Sequence, residues 1–511
     1  MKKLLRSTSL VAAWTLFSRT MGFIRDMVLA SLFGATAGFD AFLVAFKIPN
    51  FARRLFAEDA FAQAFVPILS EYRELKTAEE AKAFIGKIAG TLGVVVLLVV
   101  ALAEILVPLI IVIFAPGFRE GTLRYHLASQ MLHITFPYLL LISLTAFSGA
   151  VLNSYGRFGV PAFTPVLLNV SLIVAAIYGS PYFTHPIVAV AWGVILAGGA
   201  QLAFQIPFLY KNKLLPRPKI SLRDEGVKKV LKLMVPAIFG VSVAQISALI
   251  DTVFASFLPV GSISWLYYSD RLTQFPLGLF GISIATVILP HLSRQHANKS
   301  LEEFSSGLDW AIRVVLMIGL PAALGLLLLA GPLLSTLFQH GAFDAQDVIM
   351  TRKSLMAYAI GLPAFMLVKV FATGFYSKQN IKTPVKIAVI SLTTNILLNF
   401  VLIFPLKHAG LALSTSLASI LNALLLAYLL VKYGIYRPAS GWFVYSIRIF
   451  AANVIMAGMI IIFIPNLQYW MNQHWLGKVN YLLFWMGFSI VVYFISLWLV
   501  GVRVKHFKYS T

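Results

Sequence analysis

Fourteen apolar stretches, each long enough to cross the roughly 30 Å hydrocarbon core of a bilayer, dominate this chain. They lie near residues 8–32, 37–70, 86–115, 127–154, 160–179, 186–210, 228–258, 262–292, 307–338, 350–377, 384–405, 409–432, 442–465 and 479–501. The expected class is therefore an all-α polytopic membrane protein. A soluble globular protein is excluded, because 59% of residues are hydrophobic and only 12% are charged, against about 25% charged in soluble domains. The net charge of +22 would suggest nucleic acid in a soluble chain. Here most Lys and Arg sit in short loops between apolar stretches, so they read as a topology signal and no nucleic-acid partner is expected. With no cysteine there is no disulfide, thiol catalysis or thiolate metal site. The start, MKKLLRSTSLVAAW, has the charged and apolar parts of a signal peptide. Ser18 and Arg19 interrupt the run and no small-residue cleavage site follows, so it reads as a retained first span.

Alternate loops differ sharply in charge. One set carries Lys2, Lys3, Arg6, Arg73, Lys76, Lys82, Lys87, Arg157, the basic linker 211–232, Arg294, Lys299, Lys378, Lys382, Lys432, Arg437, Arg503, Lys505 and Lys508. The opposite set holds only Arg119, Arg124, Arg352, Lys353, Lys407 and Lys478. Both termini are expected on the cytoplasmic side. The linker is the natural division between halves, and it can also rest on anionic headgroups.

Within this apolar chain, residues 17–67 hold Arg19, Arg25, Asp26, Asp40, Lys47, Arg53, Arg54, Glu58 and Asp59. A charge at bilayer depth costs about 2.5–3.5 kcal/mol on insertion scales, so such residues persist where they pair or line a watery cavity. Arg19, Arg25 and Asp26 fall at roughly 0°, 240° and 340° around a helix, on one face. Structural ion pairing is one reading, and an anion-binding cavity the other. The excess of cations over nearby acids favours the cavity. Pro49 is expected to break the second span, and broken helices inside membranes often mark binding regions.

An internal repeat supports two halves. RDMVLASLFG (25–34) aligns with IDTVFASFLP (250–259), FVPILSEY (65–72) with ILPHLSRQ (288–295), and SYGRFGVP (154–161) with SKQNIKTP (377–384). Six spans in each half imply the same orientation, an axis along the membrane normal and a cavity between the halves. Arg19 and Arg25 have no counterpart in the second half, which supplies instead the pair Asp270-Arg271, about 14 Å into its span. Helix neighbours do not face each other, so Arg271 should point elsewhere than at Asp270. Guanidinium forks suit pyrophosphate or carboxylate better than ammonium does.

The runs SRTMGFIRD, FDAFLVAFKIPNFARRLFAEDAFAQAFVP, SWLYYSDRL and LPHLS, with the turn SKQNIKTPVK, resemble the MurJ (MviN) family of lipid II flippases over essentially the whole chain. The resemblance is to a gammaproteobacterial member. It implies the multidrug/oligosaccharidyl-lipid/polysaccharide exporter superfamily and 14 transmembrane helices. These would form two pseudo-symmetric six-helix lobes in a V shape (1–215 and 216–435) plus two extra C-terminal helices (436–511) housing the polyprenyl tail. It further implies outward movement of undecaprenyl-pyrophosphate-MurNAc-pentapeptide-GlcNAc (lipid II) across the bacterial inner membrane for peptidoglycan synthesis, by alternating access. For sites, it implies substrate-binding roles for Arg19, Arg25, Asp26, Arg53 and Arg271, and gating or ion-pair roles for Asp40, Glu58 and Asp270. Expected partners are lipid II, membrane lipids and the cell-wall synthesis machinery, with the chain a monomer. Lys47 and Lys369 match nothing in this scheme and read as lysines snorkelling toward an interface.

Other classes fit less well. A cation-coupled drug exporter of the same architecture should show an acidic cavity. A membrane glycosyltransferase needs a large catalytic loop, and the nine His form no ligand-spaced cluster. A flippase for another polyprenyl-pyrophosphate-linked glycan is the main alternative, because arginines report only pyrophosphate. No cofactor or metal is expected, and no GxxxxGK[ST] loop is present. Energy would come from the membrane potential or from a Na⁺ or H⁺ gradient. The candidate coupling-ion residues are Asp251, Asn395, Asn399 and Thr415, and plain packing between helices is the alternative for Asp251.

Overall fold

The computed structural model describes residues 2–54, 59–298 and 300–503, and all regular structure among them is helical. It divides into two compact units, Met1–Gly261 and Ser262–Thr511. The first holds α1 (Lys2–Phe33), α2 (Ala37–Arg53), α3 (Asp59–Leu75), α4 (Ala78–Ile105), α5 (Val107–Phe114), α6 (Leu123–Thr135), α7 (Tyr138–Ser154), α8 (Gly159–Val174), α9 (Val188–Lys211) and α10 (Glu225–Ser256). The second holds α11 (Ser262–Pro276), α12 (Ile282–Ala297), α13 (Leu301–Leu328), α14 (Ala330–Leu337), α15 (Ala345–Tyr376), α16 (Lys382–Leu406), α17 (His408–Lys432), α18 (Trp442–Phe463), α19 (Leu467–Met471) and α20 (Trp475–Leu499). Eleven segments among the described residues are long and apolar enough to cross a bilayer. The remaining expected spans fall on α1, on α2 with α3, and on α10.

The compact division falls one helix later than residues 215/216, because α10 packs along α3 and α4. Its start is fastened at the polar end of those helices. Asp224 caps α10 by accepting the amides of Gly226 and Val227, and it also pairs with Lys87 of α4. Lys229 pairs with Glu71 of α3. The linker before α10 lies along α4 because Gly86 and Gly90, one turn apart, leave room for its backbone. A Cβ at either position would come within 2.5 Å of the carbonyl oxygen of Arg217 or Lys219, and the Lys219 amide donates to the Gly86 carbonyl at 3.0 Å.

Pro49 does not end α2, which continues to Arg53. Proline removes the N–H that would have bonded the Ala45 carbonyl. The Thr135 hydroxyl of α6 donates to that carbonyl instead, at 2.9 Å, so the helix passes through the proline with its acceptor satisfied.

In the second unit α12, α13, α15 and α17 enclose a core around Leu308, Val315, Leu362, Met366 and Phe375. The connection into α18 is held by one buried carboxylate. Asp309 accepts from Tyr436 Oη and Trp442 Nε1, each at 2.6 Å, from the Ala439 amide at 3.3 Å and from Arg313 Nε at 2.7 Å. Arg313 also lies over the rings of Trp442 and Tyr445. Burial, and then the Asp309 carboxylate, push the Tyr436 hydroxyl well above its ordinary value, so it stays a donor.

Two outcomes are expected. Asp309→Ala leaves four donors without their acceptor and should lower stability by about 3–5 kcal/mol, read as an earlier unfolding transition of the purified protein. At Asp224, burial raises the carboxyl, but the Lys87 ammonium and the Val227 and Gly226 amides outweigh it and hold it below the usual range. Its contribution is therefore complete above the unfolded value of about 3.9 and is lost as pH falls through the lower folded value. Because the chain has no cysteine, a fluorophore on Arg217→Cys reports linker release. Acidification below about pH 4 should release it in the wild-type background and change little in Lys87→Met.

Candidate functional site

The candidate site starts from charges that the apolar helices cannot avoid burying. Arg25 and Asp26 of α1 are 6% and 0% exposed. Arg25 directs Nη2 and Nε to Asp26 Oδ1 at 2.6 and 3.0 Å, folding its guanidinium back onto its own chain neighbour. Its Nη1 donates to Asn169 Oδ1 of α8 at 3.0 Å, and Asn169 Nδ2 donates to the Ser18 carbonyl at 3.1 Å. One neutralised unit, Arg25–Asp26–Asn169, thus clamps α1 against α8. Asn169 escaped the sequence reading, although an amide alone in an apolar span is the signal that could have found it.

The other first-unit residues separate into distinct settings. Arg19 is exposed, two turns before the pair. Arg53 is half-buried with Nε on Asn50 Oδ1 at 3.2 Å, and Arg54 reaches Gln245 Oε1 at 3.1 Å. Asp40, fully buried in the first turn of α2, accepts the Gly261 amide at 2.7 Å. Gly261 has φ +93°, a conformation that suits glycine. Lys47, expected to snorkel, instead directs its Nζ inward as a donor to Thr252 Oγ1 of α10 at 2.6 Å. Lys369 is exposed. Glu58 lies outside the described residues. Asp251 is half-buried on α10.

In the second unit, Asp270 and Arg271 are half-buried on α11 and diverge as helix geometry requires. Asp270 accepts from Gln274, one turn on, while Arg271 lies 5.9 Å from the Tyr267 ring, one turn back. Asn395, Asn399 and Thr415 come together. Asn395 Nδ2 donates to Thr415 Oγ1 at 3.1 Å, and Asn399 Nδ2 approaches Asn395 Oδ1 at 3.5 Å. An open apolar groove of about 480 Å³ lies between α13 and α18, lined by Leu316, Leu320, Phe443, Ile447 and Phe450. Trp485 of α20 is instead buried against Trp470 and Leu482, and Trp498 is exposed.

Eleven helical segments of spanning length among the described residues, in two helical units, define a multi-pass membrane protein. An inward-facing multidrug resistance MATE family transporter of the MOP superfamily shares the fold at TM-score 0.68 and 14% identity, over 83% of this chain and 97% of that one. Within that class the chain belongs to the MurJ family, whose profile, lipid II flippase MurJ, matches residues 29–480. A probable lipid II flippase MurJ of Haemophilus influenzae is 45% identical over 505 residues, covering 96% of this chain and 99% of the relative. The lipid II flippase MurJ of Burkholderia cenocepacia is 41% identical over 520 residues, covering 99% of both chains. A solved lipid II flippase MurJ in an inward closed conformation matches at TM-score 0.81 and 29% identity, over 95% of this chain and 97% of that one. The family is one of transporters, not enzymes.

The Arg25 unit makes an energetic prediction. Asp26→Asn keeps the shape but removes a carboxylate 2.6 Å from a buried guanidinium, for an expected loss of about 3–5 kcal/mol. Asn169→Leu removes the acceptor for Arg25 and the donor to the Ser18 carbonyl, and should cost roughly 1–3 kcal/mol. Thermal unfolding in detergent measures both. Wild-type stability for Asp26→Asn would show that the pair is not what neutralises this helix.

Proposed function

We propose that this chain is a lipid II flippase. It moves undecaprenyl-pyrophosphate-MurNAc-pentapeptide-GlcNAc from the cytoplasmic to the periplasmic leaflet of the bacterial inner membrane, by alternating access, for peptidoglycan synthesis. The observation that carries this reading is membership of the MurJ family over residues 29–480. Guanidinium groups along otherwise apolar helices support it, because a pyrophosphate crossing hydrocarbon needs fixed positive partners. In this proposal Arg25 and Arg271 engage the pyrophosphate, Asp26 fixes Arg25 in orientation, and Arg19 and Arg53 add positive potential. Asp40, Glu58 and Asp270 act in ion pairing or gating. The chain works as a monomer with both termini cytoplasmic, alongside the cell-wall synthesis machinery. The apolar groove between α13 and α18 accommodates the polyprenyl tail.

For energy, an inside-negative potential favours outward movement of an anion by about 2.3 kcal/mol per charge per 100 mV. Asp251 with Asn395, Asn399 and Thr415 is the proposed Na⁺ or H⁺ coupling set. Transport into vesicles with imposed gradients, wild type against Asp251→Asn, examines that assignment. Equal gradient sensitivity in the two proteins would remove Asp251 from the coupling role.

Depletion in the native host should make lipid II accumulate in the inner leaflet and lead to lysis. Accumulation of a different polyprenyl-linked glycan would replace lipid II with that substrate. Arg25→Ala and Arg271→Ala, inserted at normal levels, should fail to rescue depleted cells, and lysine should substitute poorly because it lacks the two-pronged donor. Full rescue by both alanine variants would sink the assignment.

A further inference from the structure

The helix that carries Asp270 and Arg271 changes its winding a few residues after them. Between α11 and α12, Leu277–Gly281 form a π-turn, in which the Ile282 amide donates to the Leu277 carbonyl five residues back. A π-turn holds one residue more than an α-turn, so the chain beyond it is set back by about 100° around the axis.

That slip determines which side of the helix is polar. With Ser262 at 0° and about 100° per residue, the buried Ser262, Ser269, Leu272 and Thr273 lie at roughly 0°, 340°, 280° and 20°. Asp270 and Arg271 lie at about 80° and 180°. In an unbroken α-helix the buried Gly281, Ala285, Ile288 and Leu292 would follow at roughly 100°, 140°, 80° and 120°, on the side of the two charges. Set back by the π-turn, they fall at roughly 0°, 40°, 340° and 20°, in line with the buried side of α11.

Each side of the turn has its own anchors. Before it, Trp265 Nε1 donates to Asp347 Oδ1 and Ser269 Oγ to the Thr351 carbonyl, each at 2.9 Å, along α15. After it, Ile288 and Leu292 enter the core of the second unit. The extra residue lets one helix meet both. Gly281 makes room for it, since a Cβ there would lie 3.0 Å from Met366 Cγ of α15. Pro276 alone does not account for the turn, although its missing N–H frees the Leu272 carbonyl. The repeat that aligns 65–72 with 288–295 also aligns Arg53 with Pro276 and Arg54 with Leu277. Arg54 is likewise π-helical, with arginine in the proline's place.

We propose that the π-turn 277–281 is the positioning element of the Asp270–Arg271 face. Its extra residue holds Arg271 off the buried side of the helix, at the angle where its guanidinium can meet a diphosphate anion. This inference rests on the reading of Arg271 as a pyrophosphate-binding residue.

Because the chain has no cysteine, single cysteines report which way each position faces, through reaction of the full chain in membrane vesicles with a small aqueous maleimide. Arg271 is half-buried and Thr273 is buried, so Arg271→Cys should react and Thr273→Cys should be protected. Deletion of Leu279 removes the extra residue. It carries position 271 into the buried place of Leu272 and position 273 into the exposed place of Gln274, so reactivity should be lost at the first and gained at the second. The deletion in the otherwise native chain should abolish rescue of depleted cells. Adding Asp270→Arg, which returns a guanidinium to the vacated place, should restore part of it. Pro276→Ala keeps the residue count and should change neither labelling nor rescue; it decides alone if the deletion prevents insertion. Labelling unmoved by the deletion, rescue by the deleted chain, or labelling altered by Pro276→Ala would each overturn the proposal. Rescue by Arg271→Ala in the undeleted chain would instead remove the pyrophosphate reading and leave the labelling result standing.

Discussion

Everything polar in this protein answers to the cost of placing charge and backbone polar groups where water is scarce. Arg25 is the clearest case. Its guanidinium is 6% exposed, and an isolated cation there would be expelled or would unfold the helix. Asp26 removes the net charge and Asn169 takes a further donor, so the group that neutralises α1 also fastens it to α8. The same economy recurs where Thr135 supplies the donor that Pro49 lacks. It recurs again where Asp309 gathers four donors at the entrance to α18.

A guanidinium already satisfied by a carboxylate and an amide offers an anion less than a bare arginine would. In the proposed role, pre-organisation would offset that weakening, because a fork held in one orientation loses little entropy when an anion docks. Arg271 is a different kind of cation, resting near the Tyr267 ring rather than on its neighbour Asp270, whose carboxylate turns to Gln274. The two arginines proposed for pyrophosphate thus have different neighbours, one a carboxylate and an amide, the other a tyrosine ring.

The linker follows similar rules outside the membrane. Its many lysines read from sequence as a topology signal. In the fold that segment is also shaped by glycine. Gly86 and Gly90 let its backbone lie against α4, and Lys87 with Asp224 closes the contact. The boundary between halves is therefore a packed segment, and α10 beyond it belongs by packing to the first compact unit.

The sequence by itself determined the helical, membrane-spanning class, the family and the concentration of charge in residues 17–67, because hydropathy and long motifs are local properties. It also placed Asn395 beside Asn399 and turned Arg271 away from Asp270, since helix spacing alone decides those relations. Only the tertiary structure decided what each charge meets. Lys47 on Thr252, Asp40 on Gly261, Arg25 on Asn169 and Glu104 on His133 join residues 205, 221, 144 and 29 positions apart. Pro49 inside an unbroken helix depends on a hydroxyl 90 positions away from Ala45. No local pattern encodes such partners: they are chosen by which helix faces come together, and each buried polar group takes the donor or acceptor that packing brings within reach.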